Sequence, residues 1–196
     1  MQNKYKFYKR MKTIEKFCID KLFKINVTGL ENIPITPYIL AGNHTSMLDI
    51  PLLMVSIDDQ INFMAKAELF KNPILKWVLI NAKAFPVERE KVDIKAMKNA
   101  CNVIKSGEVL GIFPEGTRNK GHELLEFKKG CGIIAMRTNT VIVPFGISGT
   151  YKIGHQINLN IGEPIEALDA KENPNLLRDK VKTLIKQEEK WYIYYA

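Results

Sequence analysis

No stretch of this chain reaches the roughly 18 to 20 consecutive apolar residues that a bilayer-spanning helix needs, so no transmembrane segment is expected. The first residues carry no apolar run of the signal-peptide kind either. Cysteine is scarce. Cys18, Cys101 and Cys131 are odd in number, widely spaced and free of any C-x-x-C pair, which excludes a disulfide framework and fits a reduced, intracellular chain. His122 and His155 have no acidic or cysteine neighbours at metal-ligand spacing, so no metal is expected. Gly146-x-Ser148-Gly149 lacks the G-x-S-x-G spacing of a nucleophile elbow, and neither Cys101 nor Cys131 has a visible histidine partner. A covalent intermediate is therefore not indicated. Repeats, low-complexity tracts and linkers are absent too, which leaves nothing to divide the chain.

What is present fits one domain: 196 residues suffice for a sizeable core, and 46% hydrophobic with 26% charged residues is ordinary globular composition. The charge is less ordinary. Lys+Arg of 29 against Asp+Glu of 21 gives +8, which favours an acidic partner: nucleic acid, anionic lipid or an acidic carrier protein.

From Lys4 to Lys24, apolar residues including Phe7, Met11, Ile14 and Phe17 recur at mostly three- and four-residue steps, with lysines and Arg10 largely around the other face. This is a basic amphipathic helix, suited to an anionic interface or to packing on the domain. Beyond it, the spacing predicts strands at Lys24–Gly29, Tyr38–Gly42, Gln60–Ala65, Ala84–Val87, Glu108–Phe113, Val141–Ile147 and Ile157–Ile161. Helices are expected at Met47–Ile57, Pro73–Asn81, Asp93–Ser106, Gly130–Arg137 and Asn175–Tyr192. Interleaved strands and helices imply an α/β sandwich with a mostly parallel sheet and ligand chemistry at the strand ends.

Two motifs carry chemistry. In Asn43-His44-Thr45-Ser46-Met47-Leu48-Asp49, a histidine just past a strand can take a proton near neutral pH, and Asp49 can fix its tautomer if the chain turns into a helix between them. Ser46-x-x-Asp49 equally fits a capping box for that helix. In Phe113-Pro114-Glu115-Gly116-Thr117-Arg118, the glycine admits close backbone approach, Thr117 adds a hydroxyl and Arg118 a planar fork for phosphate oxygens. The plain alternative is a surface turn in which Glu115 pairs with Arg118. Together the motifs suggest group transfer onto a hydroxyl of a phosphorylated acceptor.

These residues, with Thr28 to Pro34, Met64 to Phe70, Phe85 to Arg89, Phe127 to Gly130 and Val141 to Pro144 in order along the chain, resemble the 1-acylglycerol-3-phosphate acyltransferases of the glycerolipid acyltransferase superfamily. The resemblance covers about two thirds of the chain. It implies an α/β enzyme, residues 25–196, preceded by a membrane-surface helix, residues 1–24, at the cytoplasmic face of the membrane. It further implies acyl transfer from acyl carrier protein or coenzyme A, as co-substrate and without a cofactor, to the sn-2 hydroxyl of lysophosphatidate. Nucleic acid is then no partner. By the same resemblance His44 is the general base and Asp49 its orienter. Lys66, Arg89 and Arg118 meet the acceptor phosphate, with Glu115, Gly116 and Thr117 shaping that pocket, and Val143 and Pro144 line the acyl side. Similar proteins usually carry glycine where Lys83 stands, and many have a longer hydrophobic anchor at the N-terminus. Glycerol-3-phosphate or another lysolipid is an alternative acceptor, and a non-enzymatic basic lipid-binding module is the rival class. A second interfacial patch around Trp77, or an ordinary core helix, is expected between Leu69 and Ile80.

Overall fold

The computed structural model describes residues 2–88, 93–119, 121, 123–173 and 175–186. In chain order the elements are α1 (Gln2–Leu22), β1 (Lys24–Thr28), β2 (Ile39–Gly42), α2 (Asp49–Ser56), β3 (Ile61–Lys66), α3 (Pro73–Asn81), β4 (Phe85–Val87) and α4 (Ile94–Lys105). There follow β5 (Val109–Ile112), α5 (Gly130–Thr138), β6 (Ile142–Gly149), β7 (Gln156–Ile161), α6 (Ala167–Glu172) and α7 (Leu176–Lys186). The seven strands form one sheet in the order β1-β7-β6-β2-β5-β3-β4.

All pairs are parallel except β6 with β7. The central strands β2 and β5 are buried throughout, which is why they read as unbroken apolar runs rather than alternating ones. Successive side chains of β2 nevertheless serve two cores. Tyr38 and Leu40 pack with Leu52, Leu53, Phe63 and Phe145 on one face, while Ile39 and Ala41 pack with Leu110, Ile134 and Val181 on the other. Helices therefore cover both faces, as the expected sandwich requires. On β7 the alternation shows differently. Ile157, Leu159 and Ile161 are core, and the intervening Asn160 donates to the Leu184 carbonyl of α7.

The sheet is mostly parallel, as expected, its one antiparallel pair being the β6–β7 hairpin, which turns through Gly149 at φ 97°. Three departures from the expected elements have local causes. The helix expected from Met47 begins at Asp49, because the Asp49 carboxylate reaches back to amides before the helix. Ser46 does not form the capping box; its hydroxyl accepts from Leu48 N–H. Helix α6 was too short to read from periodicity. The expected Asn175–Tyr192 helix is seen as far as Lys186, and the remainder lies outside the described residues.

Lys83 adopts φ 60°, in the left-handed region that glycine enters freely. The backbone there thus has a physical reason to favour the glycine of the resembled family.

The N-terminal helix divides its apolar residues. Tyr8 and Ile19 are buried as α1 packs against α2, whereas Ile14 and Phe17 are 65% and 62% exposed. Neighbouring α3 exposes Ile74, Leu75, Trp77, Val78 and Ile80, and has no buried residue. The core-helix alternative for this segment is thereby set aside. Among the described residues no helix is long and apolar enough to cross a membrane.

Candidate active site

The sheet order sets β2, β5, β3 and β4 side by side and parallel, so the segments that follow them open on one edge of the sheet. Gly42 ends β2 where a Cβ would lie 2.2 Å from the Phe145 carbonyl oxygen, so only glycine lets the strand close on β6. Asn43 extends that pairing with its side chain. Its Nδ2 donates to the Ile147 carbonyl and its Oδ1 accepts from Ile147 N–H, both at 2.8 Å.

The chain then leaves the sheet at His44. His44 Nδ1 lies 2.8 Å from Asp49 Oδ2, and both residues are buried, Asp49 completely. The same oxygen accepts from Thr45 N–H at 2.7 Å and Ser46 N–H at 2.8 Å. Oδ1 accepts from the Thr45 hydroxyl at 3.3 Å and the Tyr151 hydroxyl at 2.7 Å. A carboxylate only accepts, so this arrangement assigns the imidazole proton to Nδ1 and leaves Nε2 with a lone pair. The ring is further fixed by stacking on Phe113, with centroids 4.0 Å apart and planes at 19°.

Phe113 belongs to the second motif, and the backbone joins the two. His44 N–H donates to Glu115 Oε1 at 3.0 Å, and the His44 carbonyl accepts from Asn119 N–H at 2.7 Å. Glu115 Oε2 accepts from Asn119 Nδ2 and Leu125 N–H. This carboxyl is 4% exposed and accepts three hydrogen bonds, so it shapes the loop instead of touching a phosphate or pairing with Arg118. Gly116 sits at φ 72°, and a Cβ there would meet Lys128 Cε at 2.8 Å. Lys128 therefore lies over the turn; the sequence marked its segment but gave it no role. Thr117 and Arg118 are exposed, and the Arg118 guanidinium has no ion pair or hydrogen bond among the described residues.

Lys66 closes β3 and is bridged to Glu68 at 2.7 Å. Arg89 lies outside the described residues. Val143 and Pro144 are buried in β6, Val143 in the core below His44's strand, and neither lines the apolar groove beside the site. That groove, of about 510 Å³, runs between α4 and α5 and is walled by Met64, Met97, Ile112, Phe113, Ile133 and Ile134. Phe113 thus both stacks on His44 and lines the groove. Cys131 also borders the groove, but burial pushes its thiol up to about 12, which keeps it protonated and unreactive.

A family model described as Acyltransferase matches residues 24–148, which include the buried His–Asp pair and the exposed arginine turn on the rim of the sheet. The chain belongs to that acyltransferase family. It is 36% identical over 135 residues to a chloroplastic 1-acyl-sn-glycerol-3-phosphate acyltransferase of Arabidopsis thaliana, covering 67% of this chain and 38% of that protein. To the 1-acyl-sn-glycerol-3-phosphate acyltransferase of Bacillus subtilis it is 34% identical over 169 residues, covering 79% of this chain and 83% of that one. The crystal structure of the 1-acyl-sn-glycerophosphate (LPA) acyltransferase PlsC of Thermotoga maritima aligns over 100% of this chain and 80% of its own, with TM-score 0.70 and 27% identity. The chain spans only about two fifths of the length of the plant relatives.

Proposed function

We propose that the protein transfers a fatty acyl group from a thioester, on acyl carrier protein or coenzyme A, to the sn-2 hydroxyl of 1-acyl-sn-glycerol-3-phosphate. The product is phosphatidic acid, and the place in metabolism is phospholipid biosynthesis. The observation that carries this reading is the 2.8 Å His44–Asp49 contact tied, through Glu115, to the turn that presents Arg118. The acceptor hydroxyl gives its proton to His44 Nε2 as its oxygen bonds to the thioester carbon. Asp49 stabilises the imidazolium that forms. Collapse of the tetrahedral intermediate breaks the C–S bond, and the departing thiolate takes the proton back from His44. Arg118 binds the acceptor phosphate as a bidentate partner, with Lys66 and Arg89 contributing charge. The apolar groove beside Phe113 accommodates an acyl chain, whose burial is worth about 0.8 kcal/mol per methylene.

A panel of acceptors and an arginine variant test the reading. Arg118→Ala is expected to raise the acceptor KM at least about tenfold, the scale of one charge-assisted hydrogen bond, and the donor KM little. Arg118→Lys should recover part, because an ammonium lacks the forked geometry. Preference for glycerol-3-phosphate in the panel would replace the acceptor, and equal movement of both constants would reassign the arginine.

The reading includes a peripheral seat on the cytoplasmic face of an anionic membrane, since a lipid acceptor otherwise has to be extracted. Supporting it are the +8 charge and the exposed Ile14, Phe17 and Trp77 on adjacent helices. Replacing these three by serine should reduce binding to anionic vesicles and impair long-chain acceptor in bilayers more than a soluble short-chain analogue. Binding of the intact chain should weaken with salt. Equal losses on both acceptors with unchanged vesicle binding would refute this seat.

A further inference from the structure

Asp49 is held mostly by its own neighbourhood: His44, Thr45 and Ser46 all donate to it from the same short turn. Such bonds fix the carboxylate within the turn, but they do not fix the turn against the sheet. Asn43 supplies one tie, to Ile147 of β6. The other end of the turn has Tyr151, whose hydroxyl reaches Asp49 Oδ1 at 2.7 Å from 102 residues away. Among the described residues it is the one donor to this carboxylate from outside residues 44–46.

Tyr151 is itself well anchored. It follows Gly149, where a Cβ would meet the Gln156 carbonyl oxygen at 2.3 Å, so the hairpin takes its sharp path there. Gly154 N–H donates to the Leu22 carbonyl and Lys24 N–H to the His155 carbonyl, which tie the hairpin tip to the junction of α1 and β1. Phe23, in that junction, packs edge-on against the Tyr151 ring with centroids 5.6 Å apart. Burial first, then the charge of Asp49, drives the phenol well above its usual range, so it stays protonated and is always a donor.

We propose that Tyr151 is a positioning residue for the catalytic pair: with Asn43 it clamps both ends of the His44–Asp49 turn to the β6–β7 hairpin and so aims the histidine at the acceptor hydroxyl. This rests on His44 being the general base. A misaimed base loses rate without losing substrate affinity, because near-attack geometry is needed only for the chemical step.

The test compares Tyr151→Phe, Asp49→Asn, the double variant and His44→Ala in the full chain, with kcat, both KM values and the melting temperature measured for each. Tyr151→Phe keeps the ring against Phe23 and removes only the hydroxyl. It should lower kcat about tenfold with both KM values within about twofold. In the Asp49→Asn background the same change should cost less than about twofold, since its partner is already compromised. If His44→Ala is inactive yet Tyr151→Phe keeps its kcat, the positioning role is overturned while the base stands. The role is equally overturned if the two losses simply multiply, or if kcat falls only with the melting temperature. A folded His44→Ala protein with wild-type activity overturns the base and the positioning role together.

Discussion

His44→Ala is expected to lower kcat by roughly 10²–10⁴-fold, the range that a general base contributes, while the protein stays folded. The ring's surroundings allow this separation. Its backbone bonds to Glu115 and Asn119 do not involve the side chain, so truncation leaves both in place. The main structural cost is the lost stacking on Phe113. Asp49→Asn is expected to be comparably severe in rate, because a neutral amide cannot stabilise the imidazolium. Stability should change less: the amide oxygen can keep the bonds from His44 Nδ1, Thr45 N–H and Ser46 N–H, while its NH2 faces the Thr45 and Tyr151 hydroxyls, which can accept. Circular dichroism, melting curves and steady-state rates on the two variants separate these effects. A folded His44→Ala protein with near wild-type turnover would sink the mechanism.

The second large effect is expected at a residue that touches no substrate. Glu115→Ala leaves the N–H groups of His44 and Leu125 without their acceptor, while Asn119 Nδ2 keeps the Glu123 carbonyl. One buried donor, His44 N–H, and one partly buried donor, Leu125 N–H, are then orphaned at a cost on the order of 3 kcal/mol, which is about 6–12 °C in melting temperature for a chain of this size. Rate should fall too, by about a hundredfold, because the backbone of the base loses its tie to the arginine turn. Glu115→Gln should recover part, since one of its two positions still accepts. If Glu115→Ala melted normally and only the acceptor KM rose, the carboxyl would belong to the phosphate site after all.

Adjacent residues were readable and distant ones were not. His44 and Asp49 could be paired from the sequence because four intervening residues and one turn suffice to bring them together. Arg118 could be marked from its turn, where the planar fork beside a glycine suits phosphate oxygens, although a surface turn fitted the same residues. The tie of Glu115 to the His44 amide was not legible for a physical reason: an acid in a turn reads as surface chemistry until its burial is known. Val143 and Pro144 sit in an apolar strand whose side-chain directions no local pattern reveals, so groove and core could not be told apart. Tyr151 left no trace at all, since its bond to Asp49 depends on where a hairpin tip lands. The strands followed from apolar spacing, but the reversal of β7 depended on the short hairpin at Gly149, shorter than any helical crossover that parallel strands need.

The pairing of β1 with β7 joins residues 132 apart, as Asn26 and Asn158 illustrate. During synthesis β1 is made before the other six strands, and its neighbour β7 is the last of them. Long-range pairings of this kind slow folding, because the loop must close before any contact rewards it. Until β7 is made, β1 consequently keeps an unmatched edge. A chaperone or a lipid surface meeting the chain in that interval finds this edge open.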